Sequence, residues 1–255
     1  MGANAQTSVP AFTAGQVLTA QQQTEINTGI PVFATTTTRD AAFGGTGEKT
    51  LAEGQMAYIE ATNLVQFYDG TAWQTIGGGL VPIIPTSVSV GSGTATVGTT
   101  GLITFTTVGT NLSINGCFSS LYSNYKIMFV SSNSASSGLT MRLRVAGTDS
   151  AATNYWAQLI YSNAGTPSAD NNYTTSWGMA ITGRPNRSFT GDFIDPFKTS
   201  QTSFLGSLTE NNAGTNGGLS LLAHINTAAT SYDGFSLIPS TGTFTGTLTI
   251  FGYNQ

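Results

Sequence analysis

The sequence predicts a mainly β protein in two parts. A small N-terminal module, a short helix plus a β-meander, precedes a C-terminal antiparallel β-sandwich or jelly roll. Three observations predict this. Only 8% of the 255 residues are charged, against a usual ~25%, and Gly, Thr, Ser and Asn fill the vacated space, which suits pleated sheets with Thr-rich faces. Short alternating segments recur along the chain with no long run of helical period between them. Between Gly70 and Tyr125 not one side chain is charged, a break in composition that separates a first folded part from a second. Aromatic residues reach 10%, which sets the chain apart from disordered sequences.

Taken in order, Thr19-Ala20-Gln21-Gln22 has the spacing of a capping box. Gly29 offers a stop and Pro31 forbids continuation, so a helix is predicted over residues 20–28. It is polar nearly all round, with Ile26 and the preceding Val17 and Leu18 as its apolar contacts; such a helix wants a partner. A second helical turn is predicted at Thr38–Phe43, stopped by Gly44-Gly45. Three strands follow, Met56–Glu60, Leu64–Tyr68 and Ala72–Ile76, joined by turns at Ala61-Thr62-Asn63 and Asp69-Gly70. A meander this small is insecure alone.

Gly77-Gly78-Gly79 and the Pro82–Pro85 segment mark a connector. The expected organisation is therefore a module over 1–80, a Gly/Pro/Thr-rich connector over 81–98 and a β-sandwich over 99–255. Strands are predicted at Thr100–Val108, Tyr125–Ser131, Leu139–Val145, Tyr155–Tyr161, Thr174–Thr182, Thr202–Thr209, Leu219–Asn226, Ser231–Ile238 and Thr243–Tyr253. The last alternates cleanly, with Phe244, Leu248 and Ile250 inward and Thr245, Thr247 and Thr249 outward.

Charge narrows the functions. Residues 1–80 hold six acids and two bases, the rest six of each, for a net −4. No basic patch exists to neutralise a row of phosphates, so nucleic acid is not an expected partner. The start, MGANAQTSVP, lacks a basic region followed by an apolar one, and no apolar run approaches the ~20 residues that span a bilayer. Neither secretion by a signal peptide nor membrane insertion is expected. Cys117 is the sole cysteine, which excludes an internal disulfide and points to synthesis in a cytoplasm.

Several segments invite chemistry. Gly44-Gly45-Thr46-Gly47-Glu48-Lys49-Thr50 looks like a phosphate loop, but Glu48 places a carboxylate where phosphate would sit, and a plain turn is expected. His224 is the only histidine, without nearby residues at ligand spacing; a hydrogen-bonded sheet histidine is expected. Asp192 and Asp195, with Asp170 upstream, are the carboxylates best suited to glycoside hydrolysis, yet beside Pro196 they read as turn caps in a loop. No catalytic, cofactor or metal residue is assigned, and no enzyme is expected.

Tyr155, Trp156, Tyr161, Tyr173 and Trp177 are interspersed with Asn154, Asn163, Asp170, Asn171 and Asn172, a mixture able to stack sugars and bind their hydroxyls. Core burial is favoured for Trp156 and Trp177. The stretch Ser162–Tyr173 is the expected exposed recognition loop. Candidate glycan-binding residues are Tyr161, Asn163, Asp170, Asn171 and Tyr173, with Arg184 and Arg187 able to pair with acidic sugars, although a solvated loop is favoured for the two arginines.

Four spaced blocks remain: Ala14-Gly15-Gln16-Val17-Leu18-Thr19-Ala20, then Val32-Phe33-Ala34, Arg39-Asp40-Ala41-Ala42, and Phe67-Tyr68-Asp69-Gly70-Thr71-Ala72-Trp73. In this order they resemble a module common in tailed-bacteriophage virion proteins, whose blocks read AGDxLTA, VF, RDAA and YYDGxxW. The resemblance covers roughly a quarter of the chain. Tyr122-Ser123-Asn124-Tyr125, Leu143-Arg144-Val145 and the ending Thr247–Tyr253 are similar to C-terminal β-domains of phage fibre and spike proteins. The resemblance implies a virion structural protein made in the host cytoplasm. Its first module would anchor to other virion proteins through Val17, Leu18, Ile26, Phe33, Tyr68 and Trp73, and its sandwich would be displayed, often as a homotrimer, toward a host surface glycan. The expected function is that of a non-enzymatic tail fibre or spike in host attachment. A head, collar or tail decoration protein without a receptor, a polysaccharide-degrading spike and a free carbohydrate-binding module remain open.

Overall fold

Thr19 opens the first helix, α1 (Ala20–Asn27), through a reciprocal cap. Its hydroxyl accepts from the Gln22 amide at 3.2 Å, and Gln22 Oε1 accepts from the Thr19 amide at 3.0 Å. The computed structural model describes residues 6–27, 29–46, 48–76, 79–163, 166–180, 184–211 and 217–253. It divides into two units, Met1–Gly78 and Gly79–Gln255.

In the first unit, β1 (Val32–Phe33) precedes α2 (Thr36–Asp40), and β2 (Met56–Ile59), β3 (Leu64–Tyr68) and β4 (Trp73–Thr75) complete a sheet of order β1-β2-β3-β4. The helical turn begins two residues earlier than Thr38 because Thr35 caps it, accepting from the Thr38 amide at 3.2 Å. The meander gains a fourth strand, as Val32 and Phe33 pair in parallel with Tyr58 and Ile59. Asp69 closes the β3–β4 hairpin by accepting from the Thr71 and Ala72 amides at 2.8 and 2.7 Å, while Gly70 takes φ +94°, a conformation suited to glycine. The core is thin. Phe33, Ala42, Ala57 and Ile59 are its buried apolar residues among those described, with Val9, Phe43 and Trp73 packed around them.

The second unit is an antiparallel β-sandwich. Its strands are β5 (Leu80–Pro82), β6 (Ser87–Val90), β7 (Thr94–Val97), β8 (Ile103–Val108), β9 (Leu112–Asn115), β10 (Asn124–Asn133), β11 (Leu139–Val145) and β12 (Thr148–Asp149), then β13 (Tyr155–Asn163), β14 (Thr166–Thr174), β15 (Trp177–Ala180), β16 (Asn186–Ile194), β17 (Thr202–Asn211), β18 (Gly218–Asn226), β19 (Gly234–Pro239) and β20 (Phe244–Tyr253). The large sheet runs β14-β13-β18-β17-β16-β10-β20-β8-β7, with β5 also on β20; the small one runs β12-β11-β19-β9-β6, with β15 also on β11.

Between the sheets lies one aromatic-rich core. Trp177, on the small sheet, packs against Tyr155, Phe193 and Phe204 of the large sheet at ring distances of 5.4, 6.3 and 6.2 Å, and its indole N–H donates to the Ile225 carbonyl at 3.2 Å. At the other end Phe129 stacks on Phe105 and Phe189 at 5.7 and 4.6 Å. Gly191 is required in β16, since a Cβ there would lie 2.3 Å from Phe204 Cζ; the missing side chain lets that ring cross the strand.

Three expectations change here. The connector segment 81–98 supplies β5, β6 and β7, which join both sheets. Its Ser/Thr/Gly composition suggested a linker, but the alternation Ser87-Val88-Ser89-Val90 and Thr94-Ala95-Thr96-Val97 is that of strands, and periodicity prevails. The Ser162–Tyr173 recognition loop is largely the edge strand β14, paired residue for residue with β13. The loop expected around Arg187 and Asp192 is β16, whose core face carries Arg187, Phe189, Gly191 and Phe193; Gly191 hides the alternation.

Candidate functional site

The residues singled out for anchoring divide sharply. Phe33 is fully buried, and Trp73 bridges Phe43 and Tyr68 at 5.9 and 5.7 Å with the Arg39 guanidinium 4.5 Å above its ring. These four aromatics hold the first unit together. Val17 is 90% exposed and Leu18 half-buried, so they join the exposed Phe12, Met56 and Ile76 among the apolar side chains this unit offers outward. The Ile26 side chain lies outside the described residues. Val9, Pro10, Phe12, Pro31, Lys49 and Gln55 line a hollow of about 510 Å³ in the same unit. The phosphate-loop look-alike is a turn in which Glu48 Oε2 accepts from the Gly45 amide at 2.9 Å, so the carboxylate takes the donor a phosphate would need.

The candidate glycan residues do not share one surface. Tyr161 is half-buried and packs against the core. Asp170 lies opposite Leu159, in register with the core-facing residues, whereas Asn171 lies opposite Gln158, in register with the outer face. The side chains of Asn163 and Tyr173 lie outside the described residues. Arg184 is half-buried. Arg187, 2% exposed, is neither displayed nor solvated: its Nε donates to Glu210 Oε1 at 2.8 Å, and Glu210 is itself 3% exposed. Burial pulls the Arg187 pKa down and the Glu210 carboxylate pulls it back up, leaving it below its ordinary value.

Asp192 and Asp195 are each committed to a cation. Asp192 Oδ1 receives Lys126 Nζ at 3.3 Å and the Tyr253 hydroxyl at 2.5 Å, and Asp195 meets Lys198 Nζ at 2.5 Å. Burial acts to lower the Lys126 pKa, but Asp192 outweighs it and the ammonium titrates above its ordinary range. His224 sits in the core, 1% exposed, between Trp177 and Phe204 at 5.8 and 6.1 Å. Neither ring nitrogen meets a partner in full bonding geometry among the described residues, although the Gly178 and Ala223 backbones stand beside the ring as hydrogen-bonding neighbours. Burial lowers its pKa to about 4, against a weaker upward pull from the Gly178 and Ala223 backbone. Burial also pushes the Cys117 thiol well up, an inert environment. Among the described residues no three His, Cys, Asp or Glu side chains gather as a metal site, and no helix is long and apolar enough to cross a membrane.

The surface that sequence reasoning missed is the outer face of the large sheet. Its registers align in rows: Trp156, Ile225, Ser203 and Ile194 in one; Gln158, Ala223, Leu205, Asp192 and Lys126 in the next; Ile160, Leu221, Ser207, Thr190 and Met128 in a third. Trp156 is 46% exposed, Ile160 62% and Leu221 52%, and Leu205, Leu219 and Ile225 are exposed beside them. Trp156 is therefore on the surface while Trp177 is core. Around Trp156, Leu205 and Ile225 the face sinks into a hollow of about 290 Å³. Farther along, Ser132, Asn186, Ser188, Thr209, Thr245 and Thr247 line, together with Val130, a hollow of about 710 Å³. One face thus holds an apolar half on β13, β17 and β18 and a hydroxyl-rich half toward β20.

No family model, curated protein or solved structure matches the chain.

Proposed function

We propose that the chain is a non-enzymatic structural protein of a tailed-phage virion, a fibre or spike whose first unit is held by neighbouring virion proteins and whose sandwich is displayed for attachment. The observation that carries this reading is the contrast between the units. The first has four buried apolar core residues among those described, against twenty-nine in the second, and the first bears the sequence blocks that resemble the phage module. So small a core is marginal alone, which suits a part that is completed by the particle. The mechanism is adhesive: weak contacts by each sandwich become firm attachment when several copies on one particle bind together.

A decoration role without a receptor is the second reading, favoured by the scatter of the candidate glycan residues over both faces of the β13–β14 hairpin and the buried Arg187. One experiment separates them. Antibody against residues 99–255 is expected to label intact particles and to block their adsorption to host cells. Labelling without any loss of adsorption selects the decoration role, and absence of the chain from purified particles removes both.

A further inference from the structure

We infer that the apolar half of the large sheet's outer face is where copies of this chain meet one another. The inference rests on the sandwich alone and stands whether or not the protein belongs to a virion.

Strand β18 carries the argument. Its core face presents Ser220, Leu222, His224 and Asn226, while its outer face presents Leu219, Leu221, Ala223 and Ile225. The more apolar face points out and the more polar face points in. A one-residue slip would exchange the two faces, and where one face meets water the apolar set is driven inward. The observed register is reasonable when the outer face is covered as well. Its neighbours repeat the pattern: β13 turns Trp156 and Ile160 outward, and β17 adds Leu205 between them and Asp192.

Size and charge identify what covers it. Trp156, Ile160, Leu205, Leu219, Leu221 and Ile225, each roughly half exposed, present on the order of 550 Å² of apolar surface, at the top of the range of an ordinary monomer patch and about two thirds of the ~800 Å² each partner gives a stable interface. The large anchor Trp156 stands in this patch, and Gln158, Ser203 and Ser207 surround it with uncharged polar groups, the anatomy of a protein interface. The charges in these rows, Lys126 and Asp192, are paired with each other at 3.3 Å, so the face meets its own copy without like-charge repulsion. A self-complementary patch needs no second surface to close an assembly. Leu and Ile, which dominate the patch, offer neither flat rings nor hydrogen bonds to a sugar, so a glycan is the poorer occupant.

The test is the mass of the full-length purified chain by light scattering and sedimentation. The wild type is expected at two or more times the 26.4 kDa of one chain. Ile160→Lys with Leu221→Lys, which face each other across β13 and β18, is expected to give a folded monomer, with the near-ultraviolet signal of buried Trp177 retained. Thr247→Lys, on the hydroxyl-rich half, is expected to leave the assembly intact. Should the double variant fail to fold, Leu221→Thr alone is expected to weaken association about tenfold or more. A wild type that stays at 26.4 kDa at high concentration overturns the inference. So does an assembly unmoved by the folded double variant or by Leu221→Thr, which would place the contact elsewhere.

Discussion

His224 shows how far a single residue departs from what its sequence context suggests. Alternation in Leu221–Ile225 places it in a strand, but nothing local reveals that its neighbours across the sheet and core are Phe204 and Trp177. The consequence is a pH dependence whose sign is fixed. An unfolded imidazole takes up its proton near 6.5, the folded one only at about 4. Between these values the unfolded chain binds more protons, so this residue costs no stability at pH 7 and lowers it progressively as pH falls from 6.5 to 4, by about 3 kcal/mol in full. His224→Phe, which keeps a ring between its two aromatic neighbours, is expected to remove that part of the slope in denaturant titrations compared at pH 7 and pH 4.5. The Arg187–Glu210 pair was equally illegible, because its partners lie on adjacent strands and twenty-three residues apart in sequence. Glu210→Gln strands a buried guanidinium and is expected to cost about 3–5 kcal/mol, whereas replacing both residues with Met is expected to cost far less; chemical unfolding of the single and double variants measures the difference.

At the scale of elements, what could be read was what is local. The Thr19–Gln22 box, the Asp69-Gly70 hairpin and the alternation of Phe244, Leu248 and Ile250 each depend on residues a few positions apart, and each stands where its spacing put it. Edge and two-faced strands were not readable in this way. β14 is polar on both sides, so Ser162–Tyr173 read as a loop; β13 is apolar on both sides, so Trp156 read as core. The signal that finds the outer face is the inverted β18 pattern, once register assigns its sides. Two predictions belong here. Gly246→Ala puts a Cβ 1.9 Å from the Val130 carbonyl oxygen, where backbone cannot yield cheaply, and is expected to destabilise the sandwich by more than about 2 kcal/mol in thermal or chemical unfolding. Asp69→Ala deprives the Thr71 and Ala72 amides and the Gln74 amide group of their acceptor and is expected to lower hydrogen-exchange protection across Leu64–Thr75 while leaving the sandwich unchanged. The same backbone bonds, Ala72 foremost, hold the Asp69 carboxyl below its usual pKa of 3.8, so its support of the hairpin is lost only as pH falls below that value.

The whole molecule divides its labour between a thin unit and a thick one, and the account depends on that inequality. A unit with so few buried apolar residues is expected to open often in isolation, and on the proposed reading it would gain protection from neighbours covering what it exposes, Val17 above all. The sandwich needs no such help for its interior, although its outer face calls for company. Hydrogen exchange compares the two directly, on the purified chain and on the chain within intact particles. The account predicts fast exchange over Met56–Thr75 in the free chain, strong slowing of the same amides on the particle, and slow exchange of the sandwich core strands β10, β16 and β20 in both. Equal, high protection of both units in the free chain, unchanged on the particle, would contradict it.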